Sequence, residues 1–278
     1  MKLTIITINY NNRDGLKRTL ESVAAQISKK FEYIVIDGGS TDGSVNVLEE
    51  YSDNIDNWIS EPDEGIYNAM NKGVRLTHGK YVLFVNSGDA LNNPNVVDSF
   101  NKLGIDADFI TGIEQFVCYD NGHKIVQSTN FPHRKIVSEI FLTSSISHGS
   151  TFIKTQLLRD NPYDETLSIV SDWKFFLHEL IIKRSSYASW DFPVNDFDST
   201  GVSNTNKEKR DNERQSYLRT IAPARLIEDY ISLLNGRTKL ERMIKNERTD
   251  GVFVKLLTTF GSVVLKLSKI IRICIAKH

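Results

Sequence analysis

The chain has 278 residues, 40% of them hydrophobic and 25% charged, with a net charge of −1. That length holds one large domain, or one domain with an appendage, and buries a substantial core. The near-neutral balance gives no support to nucleic-acid binding, and no uncharged run reaches the roughly 18 residues needed to span a bilayer. Cys118 and Cys274 follow no metal spacing and suit a reducing compartment. The opening MKLTIITINY lacks the apolar core and cleavage pattern of a signal peptide and reads as a first strand.

Leu3 to Ile8 is a β-branched run of the kind a central parallel strand shows. The polar loop Asn9–Gly15 leads to a helix with Leu16, Leu20, Val23 and Ala24 on one face. Phe31 to Ile36 is a second strand, closed by Asp37-Gly-Gly-Ser-Thr-Asp-Gly43, residues that tolerate positive φ and cap helices. A helix through Val45, Leu48 and Tyr51 and a short strand near Trp58 follow. Ile66, Met70 and Val74 space another helix, stopped at Gly79. Tyr81 to Val85 is a fully buried strand that delivers the turn Asn86-Ser87-Gly88-Asp89 to its C-terminal end, where open α/β sheets build ligand sites. Strand and helix alternate through these 90 residues, which predicts a doubly wound, mostly parallel sheet with right-handed crossovers.

Beyond Asp89 the pattern turns mixed. A helix is expected over Val96–Leu103, a strand over Asp108–Gly112, and a hairpin around Asp120-Asn121-Gly122. Ile136 to Leu142 reads as helix, Ser147 to Ile153 as a strand reached through a polar turn, and Ser171 to Ile182 as a helix carrying Trp173, Phe176, Leu177 and Leu180. The sheet is expected to end near Phe197. From Thr200 to about Arg214 apolar residues nearly vanish, which reads as a flexible loop or linker, and residues 217–246 regain helix spacing. The expected organisation is a domain over 1–200, a linker and helical extension over 201–250, and a basic amphipathic helix over 251–278.

That last stretch has five basic residues and no acid. On a helical wheel Lys255, Thr259, Ser262, Lys266, Lys269 and Lys277 share one side. Phe253, Leu256, Leu257, Phe260, Val264, Leu267, Ile271 and Ile275 share the other. The stripe suits the headgroup region of an anionic membrane, and the competing reading is a helix docked on its own core or on a second subunit.

Five ordered pieces carry a family likeness: Ile6-Thr-Ile-Asn-Tyr-Asn-Asn12, Ile36-Asp-Gly-Gly-Ser-Thr-Asp-Gly43, Gly65-Ile-Tyr-Asn-Ala-Met-Asn-Lys-Gly73, Val85-Asn-Ser-Gly-Asp89 and Ser171-Asp-Trp173. Over residues 1 to about 200 the chain resembles glycosyltransferase family 2, the bacterial inverting group with the nucleotide-diphospho-sugar transferase (GT-A) fold. Ser60-Glu-Pro-Asp-Glu-Gly65 together with Asn86–Asp89 is similar to the branch that builds capsular and exopolysaccharide units.

The resemblance implies a nucleotide-sugar donor, with UDP favoured, a glycan or oligosaccharide acceptor, and a divalent cation, Mn²⁺ or Mg²⁺. The basic amphipathic tail adds the expectation of a polyprenyl-linked acceptor and of a cytoplasmic chain peripheral to the inner membrane face. Asn9 and Tyr10 would meet the nucleobase, and Asp37 would accept from base or ribose, unless it only caps the next helix. Asp63, Asn68, Asn71 and Lys72 would line the donor pocket with Ser87 and Gly88, although Lys72 and Arg75 also read as a solvated helix face. Asp89 would ligate the cation or cap its turn, and this turn holds one carboxylate where many relatives hold two or three. Asp172 would be the general base or cap its own helix. His148 would sit near acceptor or donor phosphates or serve structure alone, and Thr200-Gly-Val-Ser203 would be ordered by donor. Two other readings stay open: a sugar nucleotidyltransferase, for which the first loop offers one basic residue, Arg13, and an inactive membrane-peripheral binding module.

Overall fold

A computed structural model of the chain describes residues 2–120, 123–137, 140–141, 144–198, 206–229, 231–233 and 236. They belong to two compact units, Met1–Tyr217 and Leu218–His278. The first unit contains a nine-stranded sheet.

Strands β1 (Leu3–Asn9), β2 (Glu32–Asp37), β3 (Asn57–Ser60) and β4 (Tyr81–Phe84) lie in the order β3-β2-β1-β4, all parallel. Every residue of β1, β2 and β4 is buried, which is why these strands read as unbroken apolar runs. On one face α1 (Arg13–Ala24) lays down Leu16, Leu20 and Val23. There α4 (Val96–Lys102) adds Val96, Val97 and Phe100 to a core shared with Ile5, Tyr33 and Leu83 of the strands. On the other face α3 (Ile66–Leu76) packs so closely that a Cβ on Gly73 would stand 2.7 Å from Ile6 Cγ2. The short α2 (Ser44–Glu50) joins β2 to β3.

The second half of the sheet is mixed, as expected. β8 (Thr151–Lys154) runs antiparallel to both β4 and β6 (Phe109–Asp120). β9 (Tyr187–Asp198) is parallel to β6 and antiparallel to the short β5 (Ala90–Leu91). β6 also pairs with β7 (His123–Asn130) in the expected hairpin, whose tip residues 121–122 lie outside the described residues. After β8 come α5 (Thr155–Asp160), which the periodicity does not announce, and α6 (Ser171–Leu177), continued by a wider helical turn over His178–Ile182.

Several expectations change. Ile66 is 43% exposed at the first position of α3, while Met70 and Val74 of the same face are buried with Tyr67 and Asn71. In α2 the buried residues include Val47 and Leu48, with Val45 only half-buried. Residues 207–214, expected as loop or linker, belong to α7 (Lys207–Ile221), a helix of good helix formers with no buried face. Ile136 and Val137 are not helical; Ile140 and Phe141 are, and their neighbours 138, 139 and 142 lie outside the described residues. So do 199–205 and the basic stretch 251–278. Among the described residues no helix is long and apolar enough to cross a membrane.

Phe100 ties the layers together: its ring stacks on Phe152 of β8 at 3.9 Å and meets Tyr81 of β4 edge-on at 5.5 Å. Replacing it by alanine removes a fully buried ring from three elements at once. Phe100→Ala should cost about 3–5 kcal/mol, measurable as a shift in the urea unfolding midpoint at unchanged slope.

Candidate active site

The loops after β1, β2 and β4 all leave the sheet at its C-terminal edge, where the strand order reverses between β1 and β4. Asn12 and Ser87 sew two of them together: Asn12 Nδ2 donates to the Ser87 carbonyl at 3.1 Å, and Ser87 Oγ to the Asn12 carbonyl at 3.2 Å. Gly88 takes φ of 108°, which a side chain would strain, and its N–H donates to Thr19 Oγ1 at 3.1 Å. Arg18 Nε grips the Gly88 carbonyl at 3.2 Å, and its other end pairs with Asp198 at 2.9 Å.

Beneath that turn, Asp89 is 5% exposed and accepts the Asp198 N–H at 2.9 Å, so it fastens β9 to the turn. Burial pushes its carboxyl up to about 8; the charges of Glu114 and Asp198 add to this, while the Asp198 N–H and His148 oppose it.

One step away, four residues from four segments form a line. Asn86 Nδ2 lies 3.1 Å from His148 Nε2, His148 Nδ1 lies 3.1 Å from Asp172 Oδ2, and the Tyr67 hydroxyl donates to Asp172 Oδ1 at 2.9 Å. The Asp172 side chain keeps 18% of its surface exposed. Burial works to raise its carboxyl, but the His148 hydrogen bond and charge, the Tyr67 hydroxyl and the Trp173 N–H outweigh it and hold the group below the usual carboxylate range. Burial alone would lower the His148 imidazole; its bond to Asp172 and the charges of Asp172, Asp89 and Glu114 raise it instead. Nδ1 therefore donates to Asp172, and Nε2, facing the Asn86 amide nitrogen, is the acceptor of the ring. Phe84 meets His148 edge-on at 6.2 Å, and Tyr163 packs against Phe84 at 5.8 Å and Tyr67 at 5.5 Å, giving the pair an aromatic floor.

Across the β1 and β2 loops, Tyr10 is 69% exposed. Its ring and the Asp63 carboxylate both approach Gly38, where a Cβ would lie 3.2 Å from Tyr10 Cδ2 and 3.1 Å from Asp63 Oδ2. An open aromatic face beside a carboxylate is a place for a flat, hydrogen-bonding ring.

Other residues expected to line the pocket serve the protein. Asp37 is fully buried, and Asn9 Nδ2, the Ser40 N–H, the Ser40 hydroxyl and the Ser60 hydroxyl occupy its acceptor positions at 2.6–2.9 Å. Asp37 therefore organises the β2 loop, and its carboxylate offers no open face to a ligand. Asn9 lies with it, its Oδ1 buried and without a partner among the described residues. Asn71 bonds to both backbone groups of Tyr163 and to Glu165, so it pins the loop below Asp172 and leaves nothing for a donor. Asn68 reaches the same Glu165 at 2.8 Å. Lys72 is neither phosphate contact nor solvated face: its amine binds Asp63 at 2.6 Å, Glu61 at 2.8 Å and the Pro62 carbonyl at 3.2 Å, which holds Asp63 in position.

The family model described as "Glycosyl transferase family 2" matches residues 4–156. A glycosyltransferase of Mycobacterium tuberculosis is 30% identical over 213 residues, spanning 72% of this chain and 76% of that protein. The chain belongs to glycosyl transferase family 2.

A second relative of this family 2 chain is a PGL/p-HBAD biosynthesis glycosyltransferase of Mycobacterium bovis, 27% identical over 62% of this chain and 67% of its own. Among solved structures, Staphylococcus aureus TarS 1-349 in complex with UDP-GlcNAc aligns with a TM-score of 0.58 at 21% identity, over 74% of this chain and 61% of that one. Glucosyl-3-phosphoglycerate synthase of M. tuberculosis, with Mn²⁺, UDP and glucosyl-3-phosphoglycerate, aligns at 0.52 and 14% identity, over 75% and 76%. These likenesses show the fold, and the family 2 chain has the GT-A architecture. Asp172, like α6 itself, lies beyond the stretch the family model matches.

A divalent cation needs several oxygen ligands, preferably anionic. The β4 turn of this family 2 chain supplies one carboxylate, Asp89, which is buried, tied to β9 and inclined to hold a proton. Ser87 Oγ is committed to Asn12 and the Asp198 carboxylate to Arg18, and no group of three potential metal ligands occurs among the described residues. By themselves these residues do not fit a complete cation site.

Sequence reasoning named Asp172 and His148 separately but not their bond. It gave no role to Tyr67, Arg18, Glu114 or Asp198. Tyr67 stood inside a family-like stretch, whereas nothing in sequence marked the rest, since each acts through a partner more than 30 positions away. The buried Asp89 makes a sharp expectation. A carboxyl whose folded pKa is raised loses stability as pH climbs from its unfolded value toward about 8. Asp89→Asn keeps an acceptor for the Asp198 N–H and removes that ionisation. Its melting temperature relative to the native chain should rise between pH 5 and pH 8, which differential scanning fluorimetry across that range would check.

Proposed function

We propose that the chain moves a sugar from a nucleoside-diphosphate sugar, with UDP the favoured nucleotide, to a hydroxyl of a glycan acceptor, with inversion at the anomeric carbon. Asp172 is the general base. The observation that carries this reading is the partly open Asp172 carboxylate, held by His148 and Tyr67 and joined through His148 to the β4 turn. A carboxylate so held stays ionised at neutral pH and points one way. It accepts the acceptor's hydroxyl proton as the oxygen attacks the anomeric carbon, and the nucleoside diphosphate leaves from the opposite face. The Nδ1–H of His148 donates to Asp172 and steadies its negative charge, and the Asn86 amide, donating to Nε2, fixes the tautomer and the far side of the ring.

Tyr10, with Asp63 beside Gly38, is the site for the base of the donor; Ser87 and Gly88 carry the turn over which its diphosphate lies. Asp37 and Asn9 support that site from below. The complex of TarS with UDP-GlcNAc is in line with a UDP-sugar, and a hexose or N-acetylhexosamine is the sugar class we favour. The Mn²⁺ or Mg²⁺ ion we favour would have to draw most of its ligands from the donor's diphosphate, since Asp89 is buried and tied to β9, and would supply charge neutralisation there. The acceptor we favour is polyprenyl-linked and part of surface polysaccharide assembly, met at the inner membrane face by the basic stripe of residues 251–278. A nucleotidyltransferase has no use for the held base, and a binding module has no use for a carboxylate held in its charged form.

Thermal shift against UDP- and GDP-sugars, with and without Mn²⁺, tests the donor half. UDP-sugars should raise the melting temperature and Mn²⁺ alone should not; no shift with any nucleotide sugar would sink the reading. Asp172→Asn should lower transfer by about 10²–10⁴-fold with the donor-induced shift intact, read from UDP release. Deleting 251–278 should abolish sedimentation with vesicles containing anionic lipid and leave donor binding unchanged.

A further inference from the structure

Helix α7 has an unusual reason to be where it is. No residue of it is buried, so no apolar face docks it on the sheet. Its contacts within the first unit converge on the start of α6, the helix that carries Asp172. That start lacks a cap of its own: the residue before the helix is Val170, which has no side-chain acceptor. Glu213 of α7 does not cap it but holds the three residues that lead up to it. Its carboxylate accepts the N–H of Ser168 at 3.1 Å, of Ile169 at 3.0 Å and of Val170 at 3.3 Å. Three bonds to one carboxylate fix both the position and the orientation of the backbone that leads into Asp172.

The neighbouring residues grip the next side chain along. The Arg214 guanidinium lies over the Trp173 ring at 5.2 Å, and Tyr217 meets that ring edge-on at 6.1 Å. Trp173 Nε1 donates to the Phe141 carbonyl at 2.9 Å, so the indole is held on three sides. Lys209 adds a bond to Ser168 Oγ at 2.9 Å, and the Lys174 amine lies 4.9 Å from the Tyr217 ring centre. Arg214 Nε is buried with no hydrogen-bond partner among the described residues. The contacts of this polar helix gather on the residues that flank Asp172 in the chain, 168–170 and Trp173, and not on the core.

We propose that Glu213 and Arg214 are positioning residues for the transfer reaction: Glu213 sets the entrance to α6, Arg214 sets Trp173, and together they aim Asp172 at the acceptor hydroxyl. The inference rests on Asp172 being the base, as argued above. His148 from the β8 approach and Tyr67 from α3 bond to the Asp172 carboxyl, and Tyr163 from the loop below and Arg214 from α7 interact with its charge without a bond to it. Arg214, held over the adjacent Trp173, is the positive charge in that set. Its removal leaves Asp172 easier to protonate.

The test uses the full chain and whichever UDP-sugar raises its melting temperature, with UDP release followed from pH 4 to pH 9. A misplaced base costs turnover and not donor affinity. Glu213→Ala should therefore lower kcat by about 10- to 100-fold with donor KM and donor-induced thermal shift unchanged, and Glu213→Gln, which keeps one acceptor oxygen, should recover part of the loss. Arg214→Met should move the acid limb of the kcat profile to higher pH, and Arg214→Lys should move it back. Should Glu213→Ala fail to fold, the Arg214 pair decides the matter alone. Unchanged kcat and an unmoved acid limb would overturn the proposal, as would kcat, donor affinity and melting temperature all falling in step. A native chain that binds UDP-sugars but never turns them over would overturn the transfer reading and this one with it; active native enzyme with indifferent variants would overturn this one alone.

Discussion

The bond between His148 and Asp172 is the contact on which the rest of the site depends. It joins the turn before β8 to the start of α6, and through Asn86 it reaches the β4 turn. Without it a carboxylate on an aromatic floor would be driven toward its neutral form by burial, and a neutral acid accepts no proton from an acceptor hydroxyl. With it, the carboxylate is held in its charged form below the usual range by a donor fixed in place. Tyr67 donates to the other oxygen of Asp172, and the side chain keeps part of its surface open.

Many polar side chains that look like ligands in the sequence turn out to build walls. Asp37, Asn71 and Lys72 each sit in a family-like stretch, and each is filled with protein partners. Their work is indirect but strict: Asp37 shapes the loop beside Tyr10, Lys72 holds Asp63 at Gly38, and Asn71 holds the segment that bears Tyr163 under the catalytic pair. A pocket open to water needs such walls, because loops carry few backbone ladders of their own and polar side chains must fix them. The buried Asp89 belongs with these, since it pins β9 beneath the turn through its bond to the Asp198 N–H.

Helix α7 shows how far composition can mislead. Its residues have no apolar rhythm, which reads as linker, and the helix exists through good intrinsic formers and polar contacts to a remote segment. By contrast, the spacing of α3 was read correctly, since Met70 and Val74 are buried; Ile66 is exposed because it stands at the first position of the helix.

The chain's own order of residues determined the parallel first half of the sheet, the hairpin, the carboxylate at the end of β4 and the acid that opens α6. These rest on local causes: unbroken apolar runs that must be buried on both faces, turn residues at fixed offsets, and side chains that start helices. Tertiary structure alone decided which acids are locked by protein partners and which stay partly open, that His148 and Asp172 are bonded, and that a helix from beyond the sheet holds the residues on either side of Asp172. Those outcomes depend on partners tens of positions apart, and on burial and charge that exist only once the segments have met.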